Sequence, residues 1–306
     1  MGLATAWAHD AWLRRKICAQ FPAIGSFFDH ERGKLHVIEA GKPHLPPVVL
    51  IHGASGSARD MLAAFSPLLS HSTWLHAIDR PGMGYSENSC SDLSVSGPDI
   101  QADIINAYVV GRGLDRPIII GHSWGGSVAQ CYAQKYGSET AGVISLCPPL
   151  FPWDGAGSWY EHIVTSPVIG PLVAHTLLTK YGLTQITPGI ERNFKPEGAP
   201  AHFAQAIGAA LILRPQPFQT NSVYGLHLSA HLARLSAHYQ PLSCPFILAS
   251  GDKDHTVNFK RNSLRYHQAF PNTELMVFEG AGHMIHHTRS AAIARRVTAL
   301  IEQRSA

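Results

Sequence analysis

The sequence predicts an α/β protein with a mostly parallel sheet, helices on both of its faces, and one largely helical insertion. Short apolar runs typical of strands alternate with segments of helical periodicity in the first half of the chain and again near its end. The predicted strands are 35–39, 47–52, 74–79, 118–121, 142–147, 244–252 and 274–279. This alternation stops from about 149 to 240, where apolar helical stretches and scattered prolines replace it. We therefore expect a core of 31–148 and 241–306 and a helical cap of 149–240.

Helical periodicity and stop signals place the helices of the core between these strands. The predicted helices are 96–110, a segment from Ser123 to a stop at Gly137, about 259–270, and about 289–303. Residues 1–30 are expected to form a helical extension, with packing on the protein body favoured over a position on a membrane surface.

Composition limits the classes of function. Among 306 residues, 45% are hydrophobic and 15% charged, which is typical of a globular protein. A net charge of +3 without a long Lys/Arg cluster argues against nucleic-acid binding. No apolar stretch reaches the length that crosses a bilayer, and the first residues make a poor signal peptide. The cysteines are odd in number and widely spaced, which favours buried thiols in a reducing, cytoplasmic compartment. They are Cys18, Cys90, Cys131, Cys147 and Cys244.

Polar and glycine-rich segments follow five of the predicted strands. These segments are HGASGS (52–57), DRPGMGYS (79–86), GHSWGG (121–126), GDKDHT (251–256) and EGAGHM (279–284). The carboxyl ends of parallel strands meet at one edge of a sheet, where ligands bind. We therefore expect a site for a small molecule at this edge.

Ser123 lies where a predicted strand turns directly into a predicted helix. The pattern G-x-S-x-G is weak evidence alone, but this setting is typical of a strained turn that presents a serine. A serine nucleophile needs a base and a carboxylate that orients the base. The candidates at later strand ends are His283 for the base and either Asp252 or Asp254 for the acid. The resulting order is serine, aspartate, histidine.

These five segments, in this order, resemble the motifs of the α/β-hydrolase superfamily, in particular its capped esterases, epoxide hydrolases and cofactor-free haloperoxidases. The resemblance covers nearly all of 33–303 and implies the α/β-hydrolase fold without a cofactor. It implies a catalytic triad of Ser123, Asp254 and His283, since the family's acid occupies the last position of G-x-x-D; Asp252 is the alternative. It also implies an oxyanion hole formed by the backbone N–H groups of Ala54 and Trp124.

The type of nucleophile limits the classes of reaction that this site can catalyse. Family members that open epoxides or displace halides resemble one another in having aspartate where this chain has Ser123. Serine favours hydrolysis of esters, thioesters or amides, and we expect a carboxylesterase for a small to medium apolar ester. The alternatives are a carbon–carbon bond hydrolase, a perhydrolase, and a receptor that binds a small ligand with little turnover. An aminopeptidase is disfavoured because the predicted cap is poor in acidic residues.

Several residues around this site have less specific predictions. The loop after the strand at 74–79 is expected to be held by Asp79 and Arg80. The cluster of His283, His286 and His287 is not expected to bind a metal, because no carboxylate or cysteine completes a ligand set at zinc-like spacing. Substrate-lining candidates from the cap, with a role in cap packing as the alternative, are Phe151, Trp153, Trp159, Tyr160 and Leu213.

Overall fold

The computed structural model describes residues 2–87, 93–155 and 157–305. In this part of the chain eight strands form one sheet, in the order β1-β2-β4-β3-β5-β6-β7-β8. The strands are β1 (Ser26–His30), β2 (Gly33–Gly41), β3 (Pro47–Ile51), β4 (Trp74–Ile78), β5 (Ile118–His122), β6 (Gly142–Leu146), β7 (Phe246–Gly251) and β8 (Glu274–Phe278). Strand β2 is antiparallel to both β1 and β4, and all the other pairs are parallel. The predicted mostly parallel sheet is confirmed.

The central strands are buried along their whole length. Every residue of β3, β5, β6 and β7 is buried. Continuous apolar sequences such as Ile118–Ile120 are stable there because helices cover both faces of a parallel sheet. This burial fixes the carboxyl ends of β5 and β7, which carry two of the predicted site segments.

Helices flank the sheet and also form the stretch between β6 and β7. They are α1 (Leu3–Gln20), α2 (Ala58–Leu69), α3 (Pro98–Gly111), α4 (Trp124–Tyr136), α5 (Trp159–Thr165), α6 (Ile169–Thr176), α7 (Leu178–Phe194), α8 (Phe203–Ala206), α9 (Pro215–Ser236), α10 (Arg265–Ala269), α11 (Ile285–Thr288) and α12 (Ser290–Ser305). A π-helical turn, Lys260–Leu264, leads into α10. Helices α3 and α4 pack on one face of the sheet, and α2 and α12 pack on the other.

Two elements differ from the predictions. The segment 1–30 is helical only over Leu3–Gln20, and Ser26–His30 instead form β1, the antiparallel edge strand paired with β2. Helix α2 was absent from the predicted elements, although it buries Ala58, Met61 and Phe65 at helical spacing. Helix α1 packs on α6 and α7 of the cap rather than on the sheet.

The cap is helical, as predicted, and α1 is joined to it by polar contacts. The Thr179 N–H donates to Oδ1 of the buried Asp10 at 3.1 Å. Among the described residues, no helix combines the length and the apolar character that crossing a bilayer requires. Free thiols are present at Cys18, Cys131, Cys147 and Cys244, and only Cys131 and Cys147 are fully buried. Cys90 lies outside the described residues.

Candidate active site

Ser123 occupies the sharp turn between β5 and α4. Its φ of +53° and ψ of −119° are unusual for a residue with a side chain, and such a strained turn is typical of a nucleophile elbow. The glycines beside it allow α4 to approach the sheet closely. A Cβ added at Gly121 would lie 2.0 Å from the Gly125 carbonyl oxygen, and one added at Gly125 would lie 2.4 Å from that of Ile51. The local sequence therefore permits a conformation that larger residues would obstruct.

Backbone hydrogen bonds hold this turn in place. The Ser123 N–H donates to the Leu146 carbonyl at 2.7 Å, which ties the turn to the end of β6. The Ser123 carbonyl accepts from the N–H of Gly126 at 2.8 Å and from that of Ser127 at 3.2 Å, which starts α4. The serine thus sits at a helix N-terminus, where the helix dipole favours negative charge.

His283 is paired with Asp254. Its Nδ1–H donates to Oδ2 of Asp254 at 2.7 Å, and both side chains are almost fully buried. The other oxygen of Asp254 accepts from the backbone N–H groups of Thr256 and Val257, each at 2.8 Å. Asp252 instead accepts from the Gly280 N–H at 2.7 Å, so it supports the turn. The structure brings the predicted base to Asp254 and not to Asp252.

His122 connects the loop of Ser123 to the loop of His283. Its Nε2–H donates to the His283 carbonyl at 3.1 Å, and the two ring centroids are 4.8 Å apart. Burial lowers the pKa of His122 well below its usual value, so this donor is a neutral imidazole. Within the described residues, no hydrogen bond joins Ser123 Oγ to His283. Bonds of this kind commonly tighten only when substrate is bound.

Two backbone donors near Ser123 are free. Within the described part of the chain, neither the Ala54 N–H nor the Trp124 N–H donates to an acceptor. The loop of Ala54 is held by Arg80, whose Nε donates to the His52 carbonyl at 3.0 Å and whose Nη2 donates to the Gly53 carbonyl at 3.2 Å. These contacts keep two unpaired donors on rigid backbone, as an oxyanion hole requires.

Arg80 is a fully buried cation that stacks on Trp124. Its guanidinium carbon lies 4.4 Å from the Trp124 ring centre. Burial lowers the pKa of Arg80 to about 10, so the guanidinium stays charged at neutral pH. The side chain of Arg80 holds the loop after β3 and contacts Gln101, whereas the sequence predicted that it holds the loop after β4.

Asp79 fixes the start of α2 and the loop that follows β4. Its carboxylate accepts from the Ala58 N–H at 2.7 Å, from the Tyr85 N–H at 2.8 Å, and from Nδ1 of His36 at 2.7 Å. Burial alone would raise the pKa of Asp79, but the hydrogen bond from His36 and the nearby His52 lower it overall. The ionised carboxylate therefore acts as a structural acceptor for two loops beside the site.

Two residues of the cap helix α9 contact the site, and the sequence did not predict them. Asn221 accepts the Ser55 N–H at 2.7 Å and donates from Nδ2 to Ser55 Oγ at 3.2 Å. Tyr224 stacks on Trp124 with a centroid distance of 5.5 Å, and its hydroxyl donates to the Pro81 carbonyl at 3.0 Å. No local pattern identifies such partners, because Asn221 lies 166 residues from Ser55.

A family comparison agrees with this arrangement. The model of the alpha/beta hydrolase family matches residues 48–296, which is most of the chain. The chain belongs to the alpha/beta hydrolase family. This membership confirms the predicted superfamily, fold class and hydrolase activity.

Relatives of this hydrolase have different activities. Haloalkane dehalogenase 2 of Mycobacterium tuberculosis is 26% identical over 287 residues, which cover 90% of this chain and 94% of the relative. A proline iminopeptidase of Xylella fastidiosa is 25% identical over 288 residues, which cover 82% and 87%. An esterase of Exiguobacterium antarcticum has a similar structure, with a TM-score of 0.70, 17% identity, and coverage of 91% and 100%. The two sequence relatives are consistent with the family, the esterase structure shows the shared fold, and the substrate is left open.

The five substrate-lining candidates of this hydrolase lie in different environments. Phe151 is buried under Arg265, whose guanidinium carbon lies 4.0 Å from the ring centre. Leu213 is buried in the cap against Gly182, and Trp153 packs on the core below α9. Trp159 and Tyr160 are 72% and 42% exposed. A role for any of them in substrate binding stays a prediction.

Asp60 completes a possible metal-ligand set that the sequence did not predict. Its two oxygens accept from Nε2 of His286 at 3.2 Å and from Nε2 of His287 at 2.7 Å. The sequence analysis considered only ligands at zinc-like spacing, whereas this carboxylate comes from α2, more than 220 residues away in sequence. Burial alone would raise the pKa of Asp60, but the two histidines lower it well below its usual value. Hydrogen bonds already satisfy this carboxylate, which ties α11 to α2.

Cys147 lies beside the Asp254–His283 pair. Its Sγ and one ligand atom each of Asp254 and His283 lie within 4.8 Å of one another. Burial, together with the Asp254 charge, raises the pKa of the Cys147 thiol well above its usual value. Because only a thiolate is a good metal ligand, a thiol that stays protonated makes this second set poorly suited to a metal ion.

Proposed function

We propose that this hydrolase cleaves carboxylic esters with small to medium apolar groups, using Ser123 as the nucleophile. The observation that carries the proposal is the strained Ser123 at the N-terminus of α4, with the hydrogen-bonded Asp254–His283 pair on the neighbouring loops. Serine at this position is suited to acyl transfer through a covalent intermediate.

The proposed mechanism starts with proton transfer from Ser123 to His283. The bond from His283 Nδ1–H to Asp254 leaves Nε2 as the proton acceptor, and the carboxylate stabilises the imidazolium that forms. Ser123 Oγ attacks the ester carbonyl, and the N–H groups of Ala54 and Trp124 stabilise the oxyanion. His283 then protonates the leaving alcohol. Water that is deprotonated by His283 hydrolyses the acyl-enzyme and restores Ser123.

A halide-displacing reaction is disfavoured even though one relative is a haloalkane dehalogenase. Attack of a serine hydroxyl on an alkyl halide would leave an ether on the enzyme, which water does not cleave readily. An aspartate nucleophile would leave an ester, which water can cleave. Ser123 therefore favours an acyl substrate, whose serine ester is hydrolysable.

The contacts of the cap also disfavour peptidase activity, although another relative is a proline iminopeptidase. An amino-terminal ammonium group would need a free carboxylate in the cap. Glu161 accepts the Ser158 N–H at 2.7 Å, and Glu197 is paired with Arg289 at 2.6 Å. Both carboxylates are thus committed to the protein. The other two acidic residues of the cap, Asp154 and Glu191, are exposed to solvent, which supports an uncharged substrate.

Hydrolysis of a p-nitrophenyl ester series, from acetate to laurate, tests the proposal. We expect turnover with an optimum at one acyl length, because the cap limits the size of the bound group. The variant Ser123→Ala should lose activity by at least about 10³-fold, because no nucleophile remains. Ser138→Ala is the matched control, since this exposed serine follows α4 and lies outside the site.

Two outcomes would contradict the proposal. Full activity in folded Ser123→Ala would exclude this serine as the nucleophile. Absence of turnover across the series in folded wild-type protein would exclude a simple esterase. The second result would favour the carbon–carbon hydrolase, the perhydrolase or the ligand-binding receptor.

A further inference from the structure

Exposed apolar side chains are concentrated on one part of the surface. Of the seventeen large hydrophobic side chains exposed in the described part of the chain, twelve lie on α1 or within 159–183. We call these twelve the cap patch. Its most exposed members are Val168 at 82%, Trp159 at 72%, Leu3 at 68% and Tyr181 at 64%. Contiguous apolar surface of this kind marks an interaction site, whereas single exposed side chains are ordinary.

The helices that carry the cap patch are neighbours. Helix α6 packs on α1, α5 and α7. The Thr179 N–H donates to Asp10, and Arg14 contacts His175 at 3.4 Å, so α1 is bonded to both α6 and α7. A Cβ added at Gly170 would lie 2.3 Å from the Val164 carbonyl oxygen, so α5 and α6 are in close contact. The twelve exposed side chains therefore lie on or beside four helices that pack on one another.

Within α1 and 159–183 the exposed formal charges are all positive, and the next charged residues of α7, Glu191 and Arg192, are opposite in sign. Arg15, Lys16 and Lys180 are exposed. The two acidic residues of α1 and 159–183 are committed within the protein. Asp10 is buried and pairs with Arg14 at 3.0 Å, and Glu161 accepts the backbone N–H at the start of α5. The cap patch is thus apolar and aromatic with a cationic rim.

We propose that the cap patch docks the protein on an anionic lipid surface. Tryptophan and tyrosine favour the boundary between headgroups and acyl chains, where Trp159, Tyr181 and the tryptophans of α1 would lie. Aliphatic side chains such as Val168 enter the outer acyl region, and the lysine and arginine side chains attract anionic headgroups. The protein then lies on the bilayer without spanning it.

A second copy of the chain fits this surface less well. In a symmetric dimer the same patch faces itself, so the cations of one copy lie near those of the other. Like charges at close range oppose that pairing, whereas anionic headgroups neutralise them. The charge of the cap patch therefore favours lipid as the occupant.

Co-sedimentation with lipid vesicles tests the inference. The vesicles are phosphatidylcholine alone or phosphatidylcholine with about one-third phosphatidylglycerol. We expect wild-type protein to bind the anionic vesicles more strongly, with weaker binding at high salt. Val168→Asp with Tyr181→Ser should weaken binding at least about tenfold, because both changes remove apolar side chains from the contact. Val110→Asp with Val277→Ser is the matched control, since both are exposed valines outside the cap patch.

Lys16→Glu with Lys180→Glu tests the charge separately. This variant should lose the preference for phosphatidylglycerol. The inference is overturned if wild-type protein does not bind anionic vesicles, or if the patch variant binds as well as its control. It is also overturned if light scattering shows a dimer that only the patch variant dissociates, since a second copy then covers the surface. The assay contains no ester, so its failure is distinct from failure of the proposed function.

Discussion

Asp252 and Asp254 lie two residues apart in the same turn but have different partners. Asp254 accepts from His283 Nδ1–H and from two backbone N–H groups, whereas Asp252 accepts from the Gly280 N–H. A carboxylate that orients the base affects the reaction directly, and one that supports a turn affects mainly the local fold. The two residues therefore form a matched pair for mutagenesis.

Asp254→Asn should reduce kcat for a p-nitrophenyl ester by about 10³- to 10⁴-fold. The amide cannot stabilise the imidazolium, and it can hold His283 in the wrong tautomer. Asp252→Asn should keep kcat within about tenfold of wild type, since an amide oxygen still accepts from the Gly280 N–H. Steady-state kinetics on both folded variants provides the check. Equal losses in the two variants would contradict the proposed division of roles.

The sequence predicted those site residues that lie in short local motifs. Ser123 and His283 could be identified because each follows a strand within a few residues of marker glycines. Asp60 could not, because its partners His286 and His287 lie more than 220 residues away in sequence. Partners of this kind depend on how helices pack, and a single sequence carries no local signal for them.

At the scale of elements, the buried strands were the easiest to predict. Runs such as Val48–Ile51 are apolar without interruption because both of their sides are covered. Strand β1 was missed because it is a half-exposed edge strand with no apolar alternation, and its main support is the pairing with β2. The sequence predicted that the cap is helical. It did not predict the contacts of α9 with the core, because these depend on tertiary packing alone.

Helix α9 gives a test of those contacts. Asn221→Ala removes both hydrogen bonds to Ser55, which adjoins Ala54 and has a φ of +57°. We expect kcat/KM for an ester to fall about tenfold to a hundredfold, because a donor of the proposed oxyanion hole is displaced. Asn221→Asp keeps the acceptor for the Ser55 N–H and should recover most of the loss. His227→Ala, an exposed change on the same helix, is the control.

The rate constants distinguish this role from general destabilisation. A positioning effect lowers kcat while thermal unfolding stays close to that of the His227→Ala control. If Asn221→Ala and the control have the same kcat, the contact between α9 and the loop of Ala54 does not affect the reaction.

At the scale of the whole molecule, buried neutral histidines should make the fold sensitive to acid. Burial lowers the pKa of both His52 and His286 to about 4, a value that includes the smaller effects of Arg80 on His52 and of His287 on His286. In the unfolded chain each histidine becomes protonated below its usual pKa of about 6.5. In the folded chain the same histidine stays neutral down to about pH 4. The free energy of unfolding is therefore highest above about pH 6.5 and decreases as the pH falls towards 4.

The melting temperature should stay nearly constant from about pH 8 to 7 and fall steadily below about pH 6.5. Each of the two histidines lowers the free energy of unfolding by up to about 3 kcal/mol as the pH falls through this window. The variant His52→Gln should flatten the slope, whereas His44→Gln, at an exposed position, should leave it unchanged. A melting temperature that is constant down to about pH 5 would contradict the prediction.

The contacts of α9 also determine which parts of this protein can be exchanged with relatives. Tyr224 lies on Trp124, next to Ser123, and Asn221 holds the loop of Ala54, so α9 and the core must change together. Helices α5 and α6 carry much of the exposed face of the cap, whereas the end of α7 also contacts the core, where Asn193 accepts from Thr256 Oγ1 at 3.3 Å. A chimera that replaces all of 149–240 would separate α9 from the loops to which it is fitted. A chimera whose junction lies before α9 keeps this helix with the loops that it contacts. In such exchanges α9 should therefore be treated as part of the catalytic core.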